Sequence, residues 1–300
     1  MKKRLYGIVV LAAMLLIVPV FGFCEWNDVV NNMANGSVNW SEGVIQAKGI
    51  GAPPEELYGK PQARPMALRA AQLDAYRNLL EITKGVRVNS TTLVRNYVTE
   101  NDVIMTKVEG LVKGAQIVDR EYMSDGTVEV TVQMNLHGGF AQVVLPSNIK
   151  DVEPVTPVEE PGDKMPDTPE EPWTPGEPEA DKPETRDAVY TGLVVDARGL
   201  NAKPAMAPKI LDESEREVYG SAFVSREFAI QQGMTGYSKQ LEAAKTNERV
   251  TDNPIVVKAL DTQGPGKCDI VISNADAAKL RSASENLSFL KKCKVMIVVD

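Results

Sequence analysis

The chain has 300 residues, 43% of them hydrophobic, and a formal net charge of −8. That length and apolar content support one large or two ordinary folded domains. No basic face is visible, which argues against a nucleic-acid partner. One histidine and three cysteines are too few for a convincing zinc site.

Lys2, Lys3 and Arg4 precede an apolar run from Leu5 to Phe23, broken by Gly7, Pro19 and Gly22. This is the layout of a secretory signal peptide over residues 1–24. Cleavage after Gly22 or after Cys24 both satisfy the small-residue requirement. Lipidation of Cys24 is disfavoured by the large Phe23 before it. Export places the remainder in an oxidising compartment.

Residues 25–150 read as an α+β domain. Residues 44–50 alternate as a strand, and Gly51 to Pro61 forms a Gly- and Pro-containing loop. Residues 62–83 carry Ala67, Ala70, Ala71, Ala75, Leu79 and Ile82 at three- and four-residue spacings, which predicts a helix. Pro65 suits its first turn and Gly85 its stop. Residues 91–107 suggest a second helix, weakened by β-branched residues. Gly110–Tyr122 is expected to be a strand, and Asp125-Gly126 a turn. Val128, Val130, Val132, Met134 and Leu136 then alternate with polar residues, the clearest strand signal in the chain.

Residues 151–187 hold nine prolines, 13 acidic and three basic side chains. Such a segment has too little apolar content for a core, and its prolines oppose helix and sheet ladders. It reads as a disordered Pro/Glu-rich linker.

Residues 188–300 read as a second, mixed α/β domain. Strands are expected at Val189–Asp196, Lys209–Asp212, Glu217–Tyr219, Ile255–Leu260, Asp269–Ile272 and Val295–Val299. A short helix is expected at Ser238–Lys245, and a longer one from about Ala275 to Leu290 capped by Asn274. Cys268 and Cys293 each precede a short apolar strand. A right-handed crossover would make those strands parallel with equivalent ends together. Neighbouring strands lie ~4.8 Å apart, within the Cα separation a disulfide accepts. A Cys268–Cys293 disulfide is therefore expected; the alternative is two separate buried thiols.

Within the N-terminal domain, Ala63, Arg64, Ala67, Arg69, Ala70, Asp74, Ala75, Arg77 and Leu79 form a helix motif. Gly85, Gly110, Gly114, Asp125 and Gly126 continue it. In these residues the segment from about 42 to 137 resembles the lipoprotein-20 family, including its FlgP-like flagellar basal-disk branch. The resemblance implies an exported, outer-membrane-associated structural protein that performs no reaction, some relatives building rings around the flagellar motor. Its expected partners are further copies of itself or envelope proteins, with peripheral outer-membrane contact.

The residues offer no catalytic constellation. His137 stands at the end of a strand, where a structural role is expected. Gly49 and Gly51 follow a strand, but Pro53-Pro54 rule out a dinucleotide-binding helix there. Asp74, Glu81 and the arginines 64, 69 and 77 read as solvated helix charges. No cofactor, metal or catalytic residue is assigned. The reading is a non-enzymatic cell-envelope assembly protein; the alternative is a periplasmic ligand-binding or accessory protein.

Overall fold

A computed structural model describes residues 28–146, 149, 190–282 and 284–300. The expected signal peptide and the acidic spacer lie outside these residues. Among the described residues no helix is long and apolar enough to cross a membrane.

The N-terminal unit comprises β1 (Val30–Met33), β2 (Gly36–Asn39), β3 (Val44–Gly51), α1 (Ala63–Lys84), α2 (Val94–Glu100), α3 (Asp102–Lys113), β4 (Gln116–Tyr122), β5 (Val128–Asn135) and α4 (Gly139–Val144). Its strands form one antiparallel sheet in the order β1-β2-β3-β5-β4. The alternation in β5 works as expected: Val128, Val130, Val132 and Met134 are buried, and the intervening Glu129, Thr131 and Gln133 are half-buried. Opposite them, Ile45, Ala47, Gly49 and Gly51 of β3 are buried too. Helix α1 lies on this inner face through Ala67, Ala71, Ala75, Leu79 and Ile82. The other face carries a Gln46–Gln133 hydrogen bond of 2.8 Å and a Lys48–Glu129 ion pair of 2.6 Å.

Two expectations change here, and the β1–β2 hairpin is an addition with no apolar alternation to reveal it in the sequence. The expected second helix over 91–107 is two, α2 and α3. Gly110 and Val112 belong to α3, and Gly114 is its cap rather than part of a strand; the Gly114 N–H donates to the carbonyls of Gly110 and Leu111. The cause is a helix start at Asn101, whose side chain accepts from the N–H groups of Val103 (2.9 Å) and Ile104 (3.3 Å). Val108 and Val112, one turn apart, are then both buried.

The C-terminal unit comprises β6 (Gly192–Asp196), β7 (Ile210–Asp212), β8 (Glu217–Tyr219), α5 (Arg226–Gln232), β9 (Gly236–Ser238), α6 (Leu241–Lys245), β10 (Pro254–Gln263), β11 (Asp269–Ile272), α7 (Asn274–Ser282), α8 (Ser284–Lys291) and β12 (Val295–Val298). The expected single helix after Asn274 is two, and its first turn is capped by Ser273, which accepts from the Asp276 N–H at 3.0 Å. The strand order is β8-β7-β11-β10-β6-β12-β9. Strand β10 joins two halves: its first residues run parallel to β6, and after an irregularity between Ala259 and Asp261 it pairs antiparallel with β11. This mixed α/β unit beside an α+β unit is the fold class expected from the sequence.

The two units pack directly on one another. Trp40 meets Tyr237 edge-to-face, with ring centroids 5.9 Å apart. The Ser41 hydroxyl donates to the Tyr237 carbonyl at 2.8 Å, and Gly138 N–H to Ile230 O at 2.7 Å. At a second contact Met206 N–H donates to Arg87 O (3.0 Å) and Ala207 N–H to Val88 O (2.7 Å).

Candidate functional site

The motif helix is built for contact with its own sheet. A methyl group on Gly51 would stand 2.2 Å from the Ala67 carbonyl oxygen and 2.4 Å from the Ala71 nitrogen. On Gly49 it would stand 2.4 Å from the Ala71 oxygen. The glycines of β3 therefore let the backbone of α1 sit against the strand, and the alanines supply the small surface facing them.

Asp74 and Asn78 project from the same helix to the edge of β3 beyond the end of β2. Ile50 N–H donates to Asp74 Oδ2 at 3.1 Å, and Asn78 Nδ2 donates to the Lys48 carbonyl at 2.8 Å. These side chains occupy backbone groups that would otherwise offer a free sheet edge. Arg77 holds Asp74 at 2.5 Å. The expected solvated helix charge Asp74 is thus also an edge cap. Arg64, Arg69 and Ala70 are exposed on the helix, and Ala63 opens it. Leu79 is fully buried and Gly85 ends the helix, its N–H donating to Ile82 O. Asp125 accepts from Thr127 N–H at 2.9 Å and Gly126 takes φ +89°, so this pair makes the expected β4–β5 turn.

The expected disulfide is absent: Cys268 and Cys293 are separate, buried thiols. Strands β10 and β6 stand between β11 and β12. Three strand spacings amount to ~14 Å, far beyond the ~7 Å limit for bridged Cα atoms. The pairings also make β11 antiparallel to β12, which puts the two cysteines at opposite ends of the sheet. Burial pushes the Cys268 thiol up to about 12, aided by the neighbouring Asp269 carboxylate. Burial likewise pushes Cys293 up to about 11.

A charge cluster not anticipated from the sequence surrounds Asp212, whose side chain is 0% exposed. It accepts from the N–H groups of Ser214 and Arg216, from Arg216 Nε and from Arg281 Nη1, each at 2.9 Å. Burial opposes its ionisation, but the Arg216 N–H, the Arg281 guanidinium, the Arg216 charge and the Ser214 N–H outweigh it and hold the carboxyl down at about 2.

His137 stands at the end of β5, as expected, and at the junction of the two units. It fills the space against Gly43 on its own side and Gly233 on the other; a methyl group on either glycine would lie within 2.7 Å of the ring. Both glycines have positive φ, +69° and +79°. Beside them Arg249 donates from Nη1 to the carbonyls of Gly233 (3.1 Å) and Cys293 (3.0 Å), and from Nη2 to Gln232 O. Burial, reinforced by the Arg249 charge, lowers the His137 pKa to about 4. A cavity of about 20 Å³ here is lined by His137, Trp40, Thr235 and Tyr237 among others. Trp40 Nε1 is buried without a protein hydrogen-bond partner among the described residues. In the sequence Gly43 and Gly233 are visible only as turn glycines, and nothing there links them to His137.

None of these arrangements places a nucleophile beside a base. Among the described residues no group of three or more His, Cys, Asp or Glu side chains is placed to hold a metal ion.

A sheet covered by one alanine-rich helix is followed by a mixed α/β unit. Residues 47–135 match the model of the LPP20 lipoprotein family. Residues 192–300 match the second domain of Treponema pallidum Tp0624. Each match spans less than half of the chain, and each states what that unit is similar to. No curated protein matches the chain.

Proposed function

We propose that this protein is a non-enzymatic, exported component of the cell envelope that works by assembly, with a flagellar basal disk or ring as the finer candidate setting. The observation that supports it best is what the family motif does. In the unit similar to LPP20 lipoproteins, the motif residues Ala67 and Ala75 pack α1 against Gly49 and Gly51 of β3, and Asp74 caps the sheet edge. A motif spent on scaffold leaves the outer surface free for contacts. On that surface α1 exposes Met66 and Leu73, at 48% and 64%. The partners in this reading are further copies of the chain or envelope proteins, with peripheral contact to the outer membrane.

The ligand-binding alternative has less support. The cavity between the units is about 20 Å³, room for one water molecule rather than a metabolite. In the larger cleft beside β3, Lys48 pairs with Glu129 and Arg77 with Asp74. Cell fractionation followed by mild extraction and identification of co-isolating proteins tests the proposal. Recovery from the envelope fraction with envelope structural proteins is expected. Recovery from the cytoplasm as a lone chain retaining residues 1–24 would refute it.

A further inference from the structure

His137 is the chain's one histidine, and it is wedged between units rather than within one. The charged group that faces it is the Arg249 guanidinium, fixed by three backbone carbonyls. Tyr219, Cys293 and Tyr237, near that guanidinium, are held neutral by burial. Glu42, next to Gly43 in the β2–β3 turn, is exposed to solvent. An imidazolium at this position would therefore meet a second cation with no enclosed carboxylate to balance it. Desolvation and like charge both disfavour that form. Trp40, Thr235 and Tyr237 line the small cavity beside the imidazole, on both sides of the junction.

We propose that His137 is an acid-sensitive latch between the two units: neutral, it seats β5 against Gly233, and protonated, it releases the Trp40–Tyr237 side of the junction. The backbone hydrogen bonds from Met206 and Ala207 to Arg87 and Val88 do not involve the imidazole and hold the units together as the latch opens.

The sign follows from linkage. The closed state binds the proton with a pKa of about 4 and the open state with the ordinary value of 6.5. Opening is therefore favoured as pH falls through that interval, by about twentyfold between pH 7 and pH 5.

The reporter is the Gly138 amide, which donates across the junction to Ile230 O. Its hydrogen exchange in the untagged mature chain, corrected for the intrinsic pH dependence, is expected to speed up about twentyfold from pH 7 to pH 5. In His137→Gln the corrected rate is expected to stay flat. A flat rate in the unaltered chain, or an undiminished acceleration in the variant, would overturn the latch. Should the variant fail to fold, the single imidazole resonance of the unaltered chain decides: titration near 4 together with the acid-accelerated Gly138 exchange supports the latch, and titration near 6.5 overturns it.

Discussion

The α-carbon of Gly49 faces the backbone of Ala75 so closely that a methyl group on it would stand 2.0 Å from the Ala75 nitrogen. Strand β3 and helix α1 are therefore joined at their main chains. Ala71 and Ala75 leave room for this contact, and Leu79 and Ile82 continue it where more space is open.

Gly49→Ala is expected to force α1 off the sheet. The loss should reach ~3 kcal/mol or more, the upper end of the ~1–3 kcal/mol typical of overpacked cores. Gly110→Ala is the matched control. Gly110 lies inside α3 with no atom near its α-carbon, so the substitution should stabilise by ~0.5–1 kcal/mol. Denaturant unfolding of the two variants gives opposite shifts in midpoint.

Asp74→Ala uncaps the Ile50 N–H at the edge of β3. A loss of ~1 kcal/mol is expected for the hydrogen bond. Arg77→Ala removes only an exposed partner of that carboxylate, and should cost ~0–1 kcal/mol. Equal losses in the two variants would show that the ion pair, not the cap, gives Asp74 its value.

The thiols at 268 and 293 are expected to be free and slow. Counting on denatured protein prepared without reductant should find both. In the folded chain both should resist alkylation at pH 8, because burial raises their pKa values to about 12 and about 11 and the thiolate is the reactive form. Reductant should leave the unfolding midpoint unchanged.

Asp212 makes stability depend on acid. Its folded pKa of about 2 lies below the ordinary 3.8, so the unfolded chain takes up the proton first as pH falls. The stabilisation is complete above about pH 4 and is lost as pH falls toward 2. Asp212→Asn should lower the melting temperature at pH 7, and its deficit should shrink between pH 4 and pH 2. A deficit constant with pH would mean that the cluster acts through shape alone.

Where local chemistry decides the outcome, the sequence was readable. The alternation from Val128 to Met134 requires a half-buried strand, and the alanine spacing from Ala67 to Ala75 requires a helix with a small face. Asp125-Gly126 requires a turn. Where two local signals compete, the reading failed. Leu111 and Val112 fit a strand as well as a helix, and the deciding residue is the cap at Asn101. Long-range order was not readable at all. Nothing near Cys268 or Cys293 says that β10 and β6 will lie between their strands, so a plausible disulfide came out wrong. The same holds for the junction: Gly43, His137 and Gly233 are far apart in sequence, and only the folded chain brings them together.

Assembly is tested by sedimentation velocity of the untagged mature chain from low to high micromolar concentration. A sedimentation coefficient that rises with concentration is expected, with larger particles still in material extracted from the envelope without denaturant. A strict monomer in both preparations would contradict it.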